Sequence, residues 1–196
     1  MEKINFIKTF IPQGDFREKY EHGGMMVRHL AAVLDEKMGA YECYECTVPI
    51  GEYDEGEIQK AFAEFSVKMD ALKLKQAKVD KIAEIAAYDT SSSVNGFVLN
   101  GLLVWLDKAT RVGLMNSTTI AKAAGQQTTT LWLGDVKLEV DCDKAIQLLS
   151  ALEMYALECF NVTAAHKAAV TDLKTIKEVE AFDVTADYPK QLEMKL

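Results

Sequence analysis

A helical heptad pattern in the middle of the chain constrains the fold more than any other feature of the sequence. Between residues 54 and 90, apolar side chains recur at alternating steps of four and three residues over four heptads, which is typical of a coiled-coil seam. Asp54 with Glu57 predicts a capped helix start, and the polar run after Asp89 predicts the end. A helix of this span is about 50 Å long. It therefore needs a surface to pack against along much of its length.

The heptad stripe leaves two interpretations open. In a homo-oligomer the stripe is the subunit interface, and Gln76 is a polar seam residue that fixes register or subunit number. Alternatively the helix packs within its own chain, because Leu74, Ile82 and Ile85 widen the apolar arc as in globular helices. The candidate oligomer-interface residues are Ile58, Phe62, Phe65, Met69, Leu72, Gln76 and Val79.

The segments on either side of this helix predict an α+β fold in three parts. Residues 1–53 form a mixed α/β segment, with a helix over Met25–Lys37 and strands over Asn5–Phe10 and Tyr41–Val48. The long helix occupies residues 54–90. Residues 91–196 form an α+β domain in which two β-hairpins pack with helices.

Two pairs of apolar runs predict the hairpins of the C-terminal part. The first pair is joined by Asn100-Gly101, the dipeptide that best tolerates positive φ at both positions of a type I′ turn. The second pair is joined by Gly134-Asp135 in the same way. We expect these hairpins to form a small antiparallel sheet, with strands over Phe97–Leu99, Leu102–Leu106, Thr128–Leu133 and Val136–Val140.

Capping residues predict the helices of the same part. One helix begins after Asp107, and a long helix with a broad apolar face begins after Asp141 and Asp143. Thr175 and Glu178 form a capping box that opens a short last helix, after which the tail is expected to be irregular.

Charge and hydropathy exclude two classes of partner. The chain has 22 Lys and Arg against 30 Asp and Glu, a net charge of -8, so we expect no nucleic-acid partner. No apolar run is long enough to cross a membrane, and Lys8 interrupts the apolar residues near the N-terminus, so we expect neither a membrane contact nor a signal peptide. Four cysteines without a secretory signal predict reduced thiols in a cytoplasm.

The residues that often carry chemistry have simpler explanations here. Cys43 and Cys46 lie three apart in a predicted strand, on opposite faces, so they cannot chelate one ion. His166 lies on an apolar helix face and is expected in the core, and Asp141 with Asp143 is a helix cap rather than a cation site. The chain lacks phosphate-loop and nucleophile-elbow motifs. We therefore assign no catalytic residue, cofactor or metal ligand.

Two tryptophans are the candidate partner surface. Trp105 alternates with Leu106 in a predicted hairpin strand, so one of the two faces outward unless another element covers it. Trp132 lies in the second hairpin, and exposed tryptophans are common anchors of protein interfaces.

Several short motifs lie along the second half of the chain. They are Ser93-Val-Asn-Gly-Phe-Val-Leu-Asn-Gly, Val104-Trp-Leu-Asp-Lys-Ala-Thr-Arg111, Leu152-Glu, Tyr155, Cys159, Val162-Thr, His166-Lys, Thr175, Glu178-Val and Tyr188-Pro189. Through them, residues from about 80 to 196 resemble an uncharacterised family of small phage and prophage proteins. Tyr44-Glu-Cys-Thr-Val48 is similar to a motif of short Bacteroides-type prophage proteins.

This resemblance implies a context and no chemistry. Genes of such proteins commonly lie beside tail-fibre genes, so we expect a virion protein of the tail-fibre or receptor-binding apparatus, made in the bacterial cytoplasm. The expected partners are copies of the chain, with a trimer favoured, and other tail or fibre proteins. The alternative is a tail-fibre assembly chaperone that is absent from the finished particle. A small enzyme is a third, weaker hypothesis.

Overall fold

The computed structural model describes residues 6–9, 16–19, 24–35, 40–49 and 52–195, with side chains for Phe6 and from Tyr44 onward. The chain has the predicted α+β fold and divides into two compact units, Met1–Lys73 and Leu74–Leu196. The boundary lies inside the long helix α1 (Glu55–Asp89), which contributes residues to both units.

The first unit contains a four-stranded antiparallel sheet. Its strands pair in the order β1-β4-β3-β2 and are β1 (Ile7–Thr9), β2 (Phe16–Lys19), β3 (Gly24–Asp35) and β4 (Ala40–Pro49). The predicted strands near β1 and β4 are confirmed over the described residues.

The predicted helix over Met25–Lys37 is wrong over residues 25–35, because β3 occupies them. Met, Leu and Ala favour helix locally, but β3 pairs with β4 along most of its length and with β2 at its start. Pairing on two sides satisfies the backbone hydrogen-bonding groups of β3, and it overrides the helix propensity of the residues. Glu36 and Lys37 lie outside the described residues.

Alternating residues of β4 and one face of α1 form the core of the first unit. Tyr44, Cys46 and Val48 are buried together with Phe6 and Ile58, and Phe62, Phe65 and Met69 pack against them. The predicted cap of α1 is confirmed: the Asp54 N–H donates to Glu57 Oε2 at 2.9 Å, and the Glu57 N–H donates to Asp54 Oδ1 at 2.8 Å.

The second unit holds the two predicted hairpins and the predicted helices. Beyond the end of α1, its elements are α2 (Ser92–Asn95), β5 (Gly96–Leu99), β6 (Leu102–Trp105), α3 (Lys108–Ala123), β7 (Thr128–Leu133), β8 (Val136–Asp141), α4 (Cys142–Asp172), α5 (Ile176–Glu180) and β9 (Leu192–Met194). Asn100 and Gly101 have φ of 50° and 84°, as a type I′ turn requires. The aspartate caps of α3 and α4 and the Thr175–Glu178 capping box are confirmed.

The predicted single antiparallel sheet and irregular tail are wrong. The hairpins belong to two separate sheets, ordered β6-β5-β9 and β7-β8. Strand β9 lies in the tail and pairs with β5 in parallel, with Phe97 opposite Leu192 and Leu99 opposite Met194. Its pairing partner is almost 100 residues away, and three residues are too few to show an alternation, so local patterns do not reveal it.

Both sheets pack their inner faces on α4. The buried residues of this core are Val94, Phe97, Leu99, Val104, Leu106, Leu131, Leu133, Ala145, Leu148, Leu149, Leu152, Tyr155 and Cys159. The predicted apolar face of α4 is thereby confirmed. A smaller cluster joins Ile85 of α1 to Val170 and Val184. Within the described ranges, no helix combines the length and apolar composition that a bilayer crossing requires.

Candidate interaction surfaces

The outer face of the β5–β6 hairpin exposes apolar side chains. Val104 and Leu106 are buried, whereas Trp105 is 42% exposed and Leu103 is 59% exposed. Leu103 and Trp105 are two residues apart and therefore share one face, opposite Val98 and Gly96 of β5. Trp105 is thus the residue of the Trp105–Leu106 pair that faces outward. We call Val98, Leu103 and Trp105 the Trp105 face.

Gly96 is required by the backbone beneath this face. A Cβ atom at position 96 would lie 2.1 Å from the carbonyl oxygen of Ser92, far inside van der Waals contact. Since Gly96 pairs with Trp105, the strand has no side chain across from the indole.

Trp132 is exposed on a different sheet. It lies on β7 between buried Leu131 and Leu133, opposite Lys137 of β8. The structure therefore places the two predicted partner-surface tryptophans outward on separate strand pairs.

Sequence reasoning missed a third exposed apolar group, on α4. Met154, Leu157 and Phe160 are spaced three apart, and each is at least half exposed. Residues three apart lie near one another on a helix surface. The signal in the sequence is that apolar residues occupy more of the circumference of α4 than one buried face needs.

The heptad stripe of α1 has two parts with different surroundings. Ile58 is buried, and Phe62, Phe65 and Met69 pack against the core of the first unit. Further along, Leu72, Gln76 and Val79 are exposed, and Gln76 Nε2 donates to Asp80 Oδ1 at 2.8 Å. We call Leu72, Gln76 and Val79 the exposed heptad segment.

A buried arginine joins the end of the first hairpin to α4. The Arg111 guanidinium donates from Nε to Glu153 Oε1 at 2.8 Å and from an Nη atom to the Leu106 carbonyl at 2.7 Å. Asp107 caps α3 by accepting from the Thr110 N–H and hydroxyl, and these hydrogen bonds lower the pKa of its carboxyl. These bonds therefore fix the segment that follows β6 to α3, and they fix α3 to α4.

Two side chains of α4 hold neighbouring segments of the second unit in place. The Tyr155 hydroxyl donates to the Val94 carbonyl at 2.8 Å, and the Thr163 hydroxyl donates to Asp89 Oδ1 at 2.7 Å and lies 2.8 Å from the Tyr188 hydroxyl. Burial raises the pKa of Tyr155 to about 12 and raises the pKa of the Cys159 thiol. A thiol with a raised pKa stays protonated and is a poor nucleophile.

His166 is a core residue, as predicted. It is buried, and its ring meets the rings of Phe182 and Tyr188 edge-on at 5.3 and 5.5 Å. Cys46 is buried in the first unit, and the side chain of Cys43 lies outside the described residues. Asp141 accepts hydrogen bonds from the N–H groups of Asp143 and Lys144, as a helix cap does. Among the described residues, no three His, Cys, Asp or Glu side chains group as metal ligands would.

An open cleft in the second unit was not predicted. It has a volume of about 790 Å³ and is lined by the end of β8, the end of β9 and one face of α4. The lining residues are Asn100, Leu138, Glu139, Val140, Asp141, Lys144, Gln147, Leu148, Ala151, Met194 and Lys195. No local sequence signal could have indicated this cleft, because it depends on where β9 pairs.

Comparison with protein families gives one match. Residues 76–186 match the family described as a domain of unknown function (DUF4376). The match covers more than half of the chain, and the chain therefore belongs to this family. Comparisons with curated proteins and with solved structures give no match.

Proposed function

We propose that this protein acts by binding other proteins, as a virion-associated structural component of a phage tail-fibre or receptor-binding apparatus. The observation that carries the binding role is the Trp105 face, where Leu103 and Trp105 point outward from a rigidly held hairpin. Tryptophan and leucine exposed together on a fixed surface are typical of interface anchors. The phage context, including a Bacteroides-type host, rests on the sequence resemblance.

The residues that carry the resemblance support binding rather than catalysis. Arg111, Tyr155, Thr163 and Glu178 are each engaged in bonds that fix a turn, a helix end or a neighbouring segment. Cys159, which has the chemistry of a nucleophile, is buried with a raised pKa. The motifs therefore have a structural explanation at these positions, because they fix turns, helix ends and neighbouring segments of the second unit.

The exposed heptad segment supports self-association in this proposal. Leu72 and Val79 are about half exposed on one stripe, and Gln76 between them is the kind of polar seam residue that selects subunit number. A trimer of the chain, bound to other tail or fibre proteins, is the assembly that we favour. The net charge of -8 argues against nucleic acid as a partner.

Mass spectrometry of purified phage particles tests this proposal. We expect peptides of this chain in the particles at a fixed ratio to fibre subunits. Trp105→Ala should lower its incorporation, whereas Ile120→Ala, at an exposed apolar residue of α3, should not. Absence from the particles, with abundant protein in the infected-cell lysate, would contradict the structural role.

A tail-fibre assembly chaperone is the second candidate, and one observation favours it. Four of the seven candidate interface residues already pack within their own chain, without an oligomer: Ile58, Phe62, Phe65 and Met69. A chaperone would associate with newly made fibre subunits in the lysate and be missing from the particles. The same comparison of lysate and particles therefore separates the two candidates.

A further inference from the structure

Strand β6 is a free edge of its sheet. The strands are ordered β6-β5-β9, and within the described residues β6 pairs with β5 alone. Leu102, Leu103 and Trp105 are all exposed, so the strand is open to solvent along most of its length. A strand edge of this kind carries backbone groups that can pair with another strand.

The hairpin register gives the direction of the backbone groups of β6. Leu99 and Leu102 flank the two-residue turn and therefore exchange hydrogen bonds with each other. Bonding alternates along an antiparallel pair, so Val104 also bonds to β5, whereas Leu103 and Trp105 point their N–H and C=O groups away from it. No backbone group elsewhere in the described part of the chain bonds to these outward groups.

The opposite side of β5 agrees with this direction. The Asn100 N–H donates to the Met194 carbonyl at 3.0 Å, so Asn100 and Val98 direct their backbone groups toward β9. Phe97 and Leu99 alternate with them and therefore direct their backbone groups toward β6.

The edge lacks most of the features that keep sheet edges from pairing with other chains. Natural edges commonly carry a lysine, a proline, an inward-pointing charge or a β-bulge. Residues 101–106 contain no charged residue and no proline, and the register of β5 with β6 has no bulge. The short length of β6, four residues, is its remaining protection. Any pairing through this edge is therefore short.

The edge is complementary to a copy of itself. Residues that lie directly opposite in an antiparallel pair have their side chains on the same face. A two-fold axis at Val104 therefore puts Leu103 opposite Trp105 of a second copy, and Trp105 opposite Leu103 of that copy. Both residues direct their backbone groups outward, so each of these pairs would exchange its hydrogen bonds.

The ends of the strand fit the same register. Leu102 would lie opposite Leu106 of the second copy, and Asp107 would lie opposite Gly101. The tight turn of each copy would thus lie beside the start of α3 in the other, so neither strand overruns the short edge that the other offers. No like charges meet across the pair, although the chain has a net charge of -8.

We propose that β6 pairs with β6 of a second copy of the chain, antiparallel and about a two-fold axis at Val104. We call this contact the β6 pairing. It would join two three-stranded sheets into one, with the Trp105 faces of both copies side by side on the outer surface. Cross-strand pairs of an aromatic and an aliphatic side chain stabilise such a contact. The inference rests on the binding role proposed for the Trp105 face, but not on the virion context.

The β6 pairing is weak in dilute solution. It joins only a short stretch of each copy, well below the roughly 800 Å² per partner of a standard stable interface. We expect a dissociation constant of about 0.1 to 1 mM. The pairing therefore forms at high local concentration, as between copies that other contacts already hold together.

Sedimentation equilibrium of the full-length variant Leu72→Asp with Val79→Asp tests the β6 pairing without association through α1. We expect one copy at about 10 μM and a reversible shift toward two copies at about 1 mM. Over this range, hydrogen exchange at the Leu103 and Trp105 amides, measured by NMR, should slow about twofold or more. The Val104 amide is already bonded to β5 and should keep its rate.

A matched pair of proline variants tests the edge. Leu103→Pro removes an N–H that β5 does not use, so it should weaken self-association about tenfold. Thr130 of β7 is opposite Glu139, and by the same register argument its N–H points away from β8. Thr130→Pro should therefore leave self-association within about twofold of the parent chain.

Three results would overturn the proposal. They are a single copy at about 1 mM, equal weakening by both proline variants, and self-association without slower exchange at Leu103 and Trp105. Slower exchange that requires a tail or fibre protein, without self-association, would assign the edge to that protein instead.

Two features keep this test independent of other outcomes. The exchange series on the wild-type chain needs no variant, so a misfolded variant does not prevent it. A chain that pairs through β6 but is absent from phage particles would contradict the proposed virion role alone.

Discussion

At the residue scale, position 96 is the one in the second unit where a side chain is least tolerated. Gly96→Ala would put a Cβ 2.1 Å from a backbone oxygen, which cannot swing aside as a flexible side chain does. We expect this variant to lower the free energy of unfolding by about 2 to 3 kcal/mol. Gly113→Ala is the matched control, because its Cβ would meet nothing within 4 Å in α3 and should raise stability by about 0.5 to 1 kcal/mol. Equal effects in urea unfolding would contradict this account.

Arg111 is the second residue whose removal should be costly. Arg111→Ala would leave the Leu106 carbonyl and Glu153 without their buried donor, so we expect a loss of about 2 to 3 kcal/mol in the free energy of unfolding. Glu153→Gln keeps an oxygen acceptor for Nε and should cost about 1 kcal/mol or less. Thermal and urea unfolding of both variants check this order, and a larger loss in Glu153→Gln would contradict it.

Tyr155 should make stability fall at alkaline pH. Burial raises its pKa from 10.0 to about 12 in the folded chain, so the phenol keeps its proton while the unfolded chain loses it. The stability from this group is fully present below pH 10 and decreases as the pH rises from about 10 to 12. The raised pKa values of Cys159 and Tyr188 act in the same direction.

The free energy of unfolding, measured by urea titration at several pH values, checks this prediction. Tyr155→Phe should flatten the decrease between pH 10 and 12, although it loses the hydrogen bond to Val94. An identical pH dependence in the wild type and the variant would show that Tyr155 is not its source.

At the element scale, variants of α1 distinguish packing within the chain from association between chains. Leu72→Asp with Val79→Asp places two charges on the exposed heptad segment, so it should dissociate an oligomer while helix content, measured by circular dichroism, stays unchanged. Val67→Asp is the control, because Val67 is 72% exposed on the opposite side of the helix. An equal loss of mass in both variants, or no loss in either, would contradict association through this segment.

The sequence predicts those features of the fold that depend on residues close together in the chain. The Asp54–Glu57 cap, the Asn100-Gly101 turn and the apolar face of α4 each depend on a few adjacent positions, and each was predicted from the sequence. The division into residues 1–53, 54–90 and 91–196 remains a prediction, as do the oligomer and its partners.

Elements that depend on distant pairing were not predictable. The Met25–Lys37 stretch contains good helix formers, and its pairing with β2 and β4 decides in favour of a strand. Strand β9 exists because residues 97–99 offer it an edge. The cleft depends on the position of β9, so it could not be predicted from the sequence either. Trp105 and Trp132 were found because alternation in a strand fixes which side chains face outward.

At the scale of the whole molecule, we propose a scaffold that works by assembly with other proteins. The second unit fixes its backbone with buried bonds, whereas its exposed apolar groups face outward. We propose the exposed heptad segment as a self-association surface on α1. These features are the basis of our proposal that the partners are other proteins.

The mass of the purified protein in solution tests this claim most directly. Light scattering across a dilution series from micromolar concentrations downward should give a constant integer multiple of 21.8 kDa, and three copies are the number that we favour. The double aspartate variant of the exposed heptad segment should give the mass of one copy. A wild-type protein that stays at 21.8 kDa at every concentration would contradict the account of self-assembly.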